Sequence, residues 1–185
     1  MKKIIVYLGD EVEKRPALEQ VLRDMKLPYK LLEDKDLVET VGYLMDLEGF
    51  QPTNRKDAVH FSSDLMLFQD ILDEEITDMN KRLATVGIEM KRKAMLTEHN
   101  KNWLLCDLMK EIEQEHQYFQ YREAIHKLLT QSSELIIEAY TPESWKRYEE
   151  VFYQGYAYLQ KETSLEDIER VYTAFVKAKE GLVKR

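Results

Sequence analysis

Apolar residues recur at the 3.6-residue period of an α-helix through most of the interval between Gly87 and Pro142, which contains no glycine or proline. This pattern predicts one long helix over residues 102–139, roughly 55 Å in length at about 1.5 Å per residue. Its apolar positions divide into two sets on opposite faces, namely Leu105, Leu108, Met109, Ile112, His116 and Phe119, and Tyr121, Ile125, Leu128, Ser132, Leu135 and Ile136. The helix is therefore expected to serve two cores, and it divides the chain into domains 1–119 and 120–185.

The first of these domains alternates between strand and helix patterns. Four apolar runs predict β-strands at residues 4–8, 29–32, 65–68 and 93–97. Helical patterns follow the first three strands at residues 11–25, 35–47 and 73–85, and the long helix follows the fourth. This βαβα pattern, written twice, predicts a duplicated α/β domain with a four-stranded, mainly parallel sheet and right-handed crossovers.

The rest of the chain contains three apolar stripes with helical spacing. They comprise Ile125, Leu128, Ser132, Leu135 and Ala139, then Trp145, Tyr148, Phe152, Gly155 and Leu159, and finally Ile168, Val171, Phe175, Ala178 and Leu182. Three such stripes predict an all-α three-helix bundle, joined to the first domain by the shared long helix. Thr141 before Pro142, and Ser164 three residues before Asp167, are typical helix N-caps.

The segment from Lys93 to Trp103 reads Lys-Ala-Met-Leu-Thr-Glu-His-Asn-Lys-Asn-Trp. It resembles the signature Lys-Ala-x-Leu-Thr-x-x-Asn-x-x-Trp of a bacterial domain family of unknown function, in which a helix rich in Leu and Glu follows. The resemblance covers residues 60–116. It implies a fold unit and supplies no chemistry.

The order Tyr-Thr-Pro-Glu-Ser-Trp at residues 140–145, followed by Glu-Thr-Ser-Leu-Glu-Asp-Ile at residues 162–168, carries a second resemblance. Residues 122–185 resemble the three-helix module described as "found in various architectures". That module usually occurs in repeated copies on secreted surface proteins of Gram-positive bacteria. This chain contains one copy and no export signal or wall anchor, so a role in surface adhesion is not expected.

Composition narrows the class of protein. The sequence is 44% hydrophobic and 34% charged, which is typical of a folded, soluble chain. Residues 1–119 hold 17 basic and 24 acidic side chains, and an acidic domain repels phosphate backbones, so nucleic-acid binding is not expected. The longest apolar runs are too short to span a bilayer, which predicts a cytoplasmic protein without a membrane partner. Cys106 is the only cysteine, which excludes intrachain disulfides.

Motifs that carry known chemistry are mostly missing from the sequence. It contains no Gly-x-Gly-x-x-Gly, Walker loop, Gly-x-Ser-x-Gly or His-Glu-x-x-His. Glu113 and His116 form one Glu-x-x-His, but metal-binding bundles need two copies with further glutamates. His60, His99 and His126 lack ligand spacing and are interpreted as surface or boundary residues. We therefore expect no metal, no cofactor and no catalytic residue.

The most promising pocket in the sequence is the corner at which the strand 93–97 ends and the long helix begins. Ligands of open parallel sheets gather beyond the carboxyl ends of the strands, and a helix N-terminus offers free N–H groups to an anion. The residues expected to line this corner are Thr97, His99, Asn100, Lys101 and Asn102. The alternative is that Asn100 or Asn102 caps the helix while Trp103 anchors it to the sheet.

Tyrosines of the second bundle helix form a candidate partner surface. Tyr153, Tyr156 and Tyr158 lie about 60–120° from the centre of the inward stripe at 100° per residue, so they are expected to be partly exposed. Tyrosine is enriched at protein interfaces because it combines a large apolar face with a polar tip. The alternative is that these rings widen the bundle core or lie against the first domain.

A long connection, residues 48–63, joins the two βαβα halves. Its residues 58–61, Ala-Val-His-Phe, are expected to form a short edge strand or to pack on the core.

Three classes of function remain open. A non-catalytic protein-interaction or scaffold protein is favoured, since both resemblances are to modules without known catalysis. The alternative is a regulatory domain that binds a small ligand or anion at the Thr97–Asn102 corner. The third class is an enzyme whose residues come from distant loops. A protein partner or self-association fits the first class.

Overall fold

The structure analysed is a computed structural model that describes residues 1–57 and 59–185. These residues form two compact units, Met1–Ile112 and Glu113–Arg185. The fold is mixed α/β, with a four-stranded sheet in the first unit and helices in the second. The division into domains 1–119 and 120–185 stays a prediction.

The first unit contains all the strands found in the described residues. They are β1 (Lys3–Tyr7), β2 (Tyr29–Leu31), β3 (Leu65–Gln69) and β4 (Lys93–Met95). Its helices are α1 (Arg15–Asp24), α2 (Val41–Leu44), α3 (Asp73–Thr85) and the beginning of α4 (Leu105–Ser132). Short 3₁₀ turns lie at Val12–Lys14, Asp34–Val38 and Asn100–Asn102.

The sheet has the strand order β2-β1-β3-β4 and is mixed. The outer pairs β1–β2 and β3–β4 are parallel, whereas the central pair β1–β3 is antiparallel, with Tyr7 opposite Leu65. A parallel neighbour would need a crossover that returns the chain to the other end of the sheet. The described residues of the connection 45–64 contain no helix or strand, and they enter β3 at the end of the sheet where β1 finishes. The expectation of a mainly parallel sheet is corrected at this central pair.

Successive residues of the central strands serve two cores, because neighbouring side chains of a strand point to opposite faces. Ile4 and Val6 pack with residues of α1 and α3, including Leu18 and Leu83. Ile5 and Tyr7 pack on the other face with residues of α2 and α4. Val59 and Phe61 of the long connection also pack against this second core, whereas Ala58 lies outside the described residues.

The helix predicted over residues 35–47 is interrupted. The segment begins with the 3₁₀ turn Asp34–Val38, continues with an extended Glu39, and ends with α2. The Thr40 hydroxyl accepts a hydrogen bond from the Tyr43 N–H at 3.3 Å, which is the geometry of an N-cap and starts a separate helix.

The long helix is shorter than predicted at both ends. It begins at Leu105 rather than at residue 102, because Trp103 is extended and Leu104 forms an isolated bridge with Thr40. It ends at Ser132, where the hydroxyls of Ser132 and Ser133 hydrogen-bond to carbonyls of the last turns, and a 3₁₀ turn follows at Ile137–Ala139. Ile136, placed by the sequence on the bundle face, is consequently exposed.

Helix α4 is unbroken between Leu105 and Ser132, as predicted. Leu105, Leu108 and Met109 are buried in the core of the first unit, and Ile125 is buried in the core of the second. Phe119, which the pattern assigned to the first set, is 56% exposed. An apolar residue on a helix face is buried only where another element packs against it, and the periodicity of the sequence does not show where that packing stops.

The second unit contains the rest of α4 together with α5 (Pro142–Leu159) and α6 (Leu165–Glu180). Its buried residues come from all three helices, namely Ile125, Tyr148, Ile168, Val171 and Phe175. Both predicted caps are confirmed, since the Thr141 hydroxyl accepts from the Ser144 N–H and the Ser164 hydroxyl accepts from the Asp167 N–H. None of the helices in the described residues has the length and apolar character that crossing a membrane requires.

Candidate functional site

The carboxyl ends of β1 and β2 lie side by side, since the two strands are parallel neighbours. Tyr7 is the last residue of β1, and the chain after β2 passes through Leu32 and Glu33 to Asp34. In open sheets this edge is where ligands bind. Four polar side chains meet here, those of Tyr7, Asp10, Asp34 and His60.

Tyr7 anchors the group from inside the protein. The residue is 3% exposed, and its hydroxyl lies 2.7 Å from Oδ1 of Asp34 and 3.1 Å from the carbonyl oxygen of Phe61. The Tyr7 hydroxyl oxygen also accepts a hydrogen bond from the Phe61 N–H at 3.3 Å. Burial, followed by the hydrogen bond to Asp34, raises the pKa of Tyr7 to about 12. The phenol therefore stays protonated at neutral pH and acts as a fixed donor.

The imidazole of His60 lies between two carboxylates. Its Nε2 is 2.9 Å from Oδ1 of Asp10, and its Nδ1 is 3.0 Å from Oδ2 of Asp34. The hydrogen bond to Asp10, and then the one to Asp34, raises the pKa of His60. The pKa of Asp34 is lowered, first by the Tyr7 hydrogen bond and then by His60. The raised pKa of His60 and the lowered pKa of Asp34 both favour the form in which His60 is protonated and Asp34 is ionised.

Backbone contacts fix the segment that carries His60. The Asp10 N–H donates to the Ser62 carbonyl oxygen at 3.2 Å. Gly9 has a φ of +56° and lies against the backbone of Phe61 and Ser62, which would clash with any Cβ at this position. Glycine is therefore required here both for its conformation and for the close approach of the two backbones.

An open cleft of about 480 Å³ lies beside this group. Its wall is apolar at Val6, Leu8, Val12, Leu31 and Leu32, and its rim carries Arg15, Glu33, Asp34, Lys35 and His60. An apolar wall with a few polar groups is typical of small-molecule sites of this size. Among the described residues, no cluster of three or more His, Cys, Asp or Glu side chains is arranged to hold a metal ion.

Sequence reasoning missed this group. It interpreted His60 as a surface residue, which agrees with a side chain that is 52% exposed, but it did not connect it to Asp10 and Asp34. The one available signal was that Tyr7, Asp10 and Asp34 lie at or just beyond the ends of two adjacent predicted strands. Nothing in the periodicity of the connection 48–63 places its histidine there.

The predicted corner at Thr97–Asn102 is occupied by its own hydrogen bonds. The Thr97 N–H donates to Oδ1 of Asn100 at 2.8 Å, and the Asn100 N–H donates to the Thr97 hydroxyl at 3.0 Å. Asn100 is buried, and its Nδ2 donates to the Met95 carbonyl oxygen at 2.9 Å. These bonds close the turn Thr97–Asn100, whereas the 3₁₀ turn Asn100–Asn102 has no side-chain cap hydrogen bond, so the capping alternative also stays a prediction.

Two of the other three residues of the corner contact separate partners, and the third is exposed. Lys101 Nζ forms an ion pair with Glu98 at 2.5 Å, and the His99 ring packs edge-on against Trp103 with centroids 5.0 Å apart. Asn102 is exposed. Of the five predicted residues, Thr97 and Asn100 contact each other, whereas Lys101 and His99 contact other residues. Whether the corner binds an anion stays a prediction.

The three candidate tyrosines differ in exposure. Tyr153 and Tyr156 are 64% and 57% exposed, whereas Tyr158 is half-buried against the core of the second unit, with Lys161 Nζ 4.5 Å from its ring centroid. Gly155, which lies between Tyr153 and Tyr156 in the sequence, is buried against Phe175 and Ile125.

Two grooves follow the outer seam between α4 and α5. The larger, of about 760 Å³, is lined by Phe119, Arg122, Glu123, His126, Leu129, Thr130, Tyr156, Leu159 and Gln160. The smaller, of about 210 Å³, is lined by Ser132, Leu135, Ile137, Trp145, Tyr148, Glu149, Phe152 and Tyr153. Tyr153 and Tyr156 are one helical turn apart, so they connect the two grooves along one face of α5. We call this surface the α4–α5 seam.

Comparison with known proteins supplies a family match without a function. A family model, Domain of unknown function (DUF3783), matches residues 64–119, which is less than a third of the chain. The expectation that this part contains a domain of unknown function is confirmed, while the eleven-residue signature at 93–103 stays a prediction. Neither a curated protein nor a solved structure matches the chain.

Proposed function

We propose that this protein is a non-catalytic interaction protein and that it binds a protein partner on the α4–α5 seam. The observation that carries the proposal is the exposure of large apolar side chains along this seam, where Phe119, Ile137, Tyr153 and Tyr156 are each more than half exposed. Exposed apolar groups that are contiguous and rimmed by polar residues are typical of interaction sites.

The residue types of the seam support a protein partner. Tyrosine and phenylalanine are enriched at interface cores, and tyrosine loses little conformational entropy on binding. Charged residues at the rim, including Glu123 and Glu149, would stay in contact with water. A groove between two helices is the usual receptor for the apolar face of an amphipathic helix, so we propose a helical segment as the bound part of the partner.

The larger groove is held open by a fixed side chain. The guanidinium of Arg122 on α4 donates to the Leu159 carbonyl oxygen at 2.6 Å and to the Lys161 carbonyl oxygen at 3.2 Å, at the end of α5. It also lies 3.2 Å from the Tyr118 hydroxyl. These bonds fix the spacing of α4 and α5 before any partner arrives, and a preformed groove lowers the entropic cost of binding.

A photo-crosslinking experiment in the native host tests the proposal. The crosslinkable residue p-benzoylphenylalanine replaces Tyr156 in the full chain, and a control replaces Thr173, which is exposed on α6. We expect a discrete adduct from position 156 and none from position 173. An adduct of twice the mass of the 22.1 kDa chain would identify self-association.

The double variant Tyr153→Ala, Tyr156→Ala provides the second part of this experiment. Combined with the crosslinker at Phe119, it should lose the adduct while its thermal unfolding stays unchanged, since both tyrosines are exposed. Equal crosslinking at positions 156 and 173, or an adduct that survives the double substitution, would reject the seam as the binding surface.

The alternative is a regulatory domain that binds a small ligand or anion at the Thr97–Asn102 corner. Lys101 is the one cation among the five residues, and it is already paired with Glu98. The side chain of Asn100 is hydrogen-bonded within the corner. Both groups are therefore less available to an anion, which weakens this alternative. Inorganic phosphate should raise the melting temperature of the wild type, and Lys101→Glu should abolish that shift by reversing the charge. A phosphate shift that survives Lys101→Glu would place the anion elsewhere.

We also infer that the first unit contains a duplicated βαβα pattern. Equivalent hydrogen bonds occur in both halves, from Leu32 N–H to the Val6 carbonyl and from Leu96 N–H to the Phe68 carbonyl, each at 2.8 Å. The turn after each outer strand is closed alike, by Asp36 Oδ2 accepting from the Glu33 N–H and by Asn100 Oδ1 accepting from the Thr97 N–H. Repetition of this kind supports a common origin of the two halves.

The remaining proposals concern the second unit and the setting of the protein. The shared core of α4, α5 and α6 supports a three-helix bundle, and the confirmed caps at Thr141 and Ser164 fit the resemblance to the module "found in various architectures". We propose, from the sequence alone, that the protein is bacterial and cytoplasmic.

A further inference from the structure

The segment that carries His60 is attached to the edge of the sheet by a small number of polar contacts and by Val59 and Phe61, which are partly buried against the second core. Between α2 and β3, the described residues form no helix or strand, so this connection is not tied down by a backbone ladder. Its contacts at the carboxyl edge involve three consecutive residues, His60, Phe61 and Ser62. We call residues 59–62 the strap. Opening of the strap would expose the buried hydroxyl of Tyr7 and widen the cleft beside it.

We propose that the strap is a pH-dependent latch, in which the imidazolium of His60 holds residues 59–62 closed over the carboxyl ends of β1 and β2, and loss of its proton releases them. The proposal is independent of the α4–α5 seam. It rests on the position of one imidazole between two carboxylates that belong to two different loops.

The chemistry of imidazole makes this position sensitive to one proton. The charged ring carries an N–H on both nitrogens and can donate to Asp10 and Asp34 at the same time. The neutral ring carries one N–H, so one of the two nitrogens would face a carboxylate as a second acceptor. Deprotonation therefore replaces one attractive contact by a repulsive one, whichever tautomer forms.

The other charged groups around His60 do not replace it as the partner of Asp10 and Asp34. Tyr7 of β1 is a neutral donor to Asp34, and Oδ1 of Asp34 is 3.2 Å from Nδ1 of His60. Around the cleft, Arg15 of α1 pairs with Glu19, and Lys35 pairs with Glu33. Each of these cations has its own carboxylate, so His60 is the group at this edge that neutralises both Asp10 and Asp34.

The latch is expected to be closed within a limited range of pH. A group whose pKa is raised in the closed state, as His60 is, favours closure while it is protonated and loses this effect as the pH rises through the raised pKa. A carboxyl whose pKa is lowered, as that of Asp34 is, favours closure while it is ionised and loses this effect as the pH falls through the lowered pKa. Ionisation of these two groups therefore favours closure most between the two pKa values, and this contribution is lost on either side.

Hydrogen exchange measured by NMR on the full-length protein tests the latch. The amides of Phe61 and Asp10, which donate to the Tyr7 hydroxyl and to the Ser62 carbonyl, report closure directly. After correction for the intrinsic pH dependence of exchange, their protection should fall about tenfold for each unit by which closure raises the pKa of His60. The fall should occur as the pH rises through the titration of His60.

Two variants separate the latch from a general effect of pH. His60→Gln should remove the pH dependence from both amides, and His126→Gln, at an exposed histidine of α4, should leave it unchanged. A second measurement needs no variant, since the chemical shifts of the His60 ring and of the Phe61 amide should have the same midpoint in the wild type. Protection that is independent of the titration of His60, or that falls equally in His60→Gln, would overturn the proposal.

Discussion

The hydroxyl of Tyr7, on a residue that is 3% exposed, lies 2.7 Å from Oδ1 of Asp34 and is also hydrogen-bonded to the backbone of Phe61. One phenol thus joins three parts of the first unit: the end of β1, the turn after β2, and the long connection. Tyr7→Phe removes these hydrogen bonds while it keeps the ring in the core. We expect the free energy of unfolding to fall by about 1–2 kcal/mol, measured in urea. Tyr153→Phe, at an exposed ring of α5, should leave stability unchanged, and a neutral Tyr7→Phe would contradict the assigned role.

Because the pKa of Tyr7 is raised, the difference in unfolding free energy between the wild type and Tyr7→Phe should depend on pH. Tyr7 has a pKa of about 12 in the folded protein, whereas a tyrosine without these contacts, as in the unfolded chain, has a pKa of 10.0. The unfolded state therefore gains from ionisation first, and the advantage of the wild type over Tyr7→Phe should shrink between these two values. Unfolding in urea at a series of pH values measures it. A difference that grows with pH would contradict the direction of the shift.

Helix α4 contributes separate residues to the cores of the two units. Leu108→Ala in the first core and Ile125→Ala in the second should each lower the free energy of unfolding by about 2–5 kcal/mol, since both side chains are buried. Phe119→Ala, on the same helix but 56% exposed, is the matched control and should change it by less than about 0.5 kcal/mol. If Phe119→Ala were as costly as the other two, the burial assigned along α4 would be wrong.

Gly155 is needed for the close packing of α5 against α6. A Cβ at this position would lie 3.1 Å from the ring of Phe175 and 3.3 Å from Ile125. Gly155→Leu should destabilise the protein by about 1–3 kcal/mol because the core has no room for the larger side chain. Ala157→Leu, at an exposed position of the same helix, is the control, and thermal unfolding of both variants provides the measurement.

Asn100 closes the turn after β4 with both ends of its side-chain amide. Asn100→Ala leaves the Thr97 N–H and the Met95 carbonyl without this partner, so we expect a loss of about 1–2 kcal/mol. Asn102→Ala, two residues later and exposed, should be close to neutral. A large loss at Asn102 with none at Asn100 would reverse the roles of the two residues.

Local patterns in the sequence determined the strands, most of the helices and several of their ends. The apolar run at residues 65–68 corresponds to β3, and Thr141 before Pro142 starts α5 as predicted. Such features depend on neighbouring residues, because a strand or a cap is stabilised by side chains a few positions apart. The exposure of Tyr153 and Tyr156 followed from helical periodicity in the same way.

The tertiary structure alone decided how distant segments meet. Periodicity carries no information on whether β3 joins β1 in the parallel or antiparallel direction, since both arrangements bury the same alternating residues. His60 is 50 residues from Asp10 and 26 from Asp34, and its segment lacks the regular repeat that would orient it. The sequence therefore determined where the strands lie and where the bundle helices are capped, but it placed Phe119 and Ile136 on core faces although both are exposed. The packing of the long connection against the sheet decided which titratable groups share one site, because that contact joins residues with no local relationship.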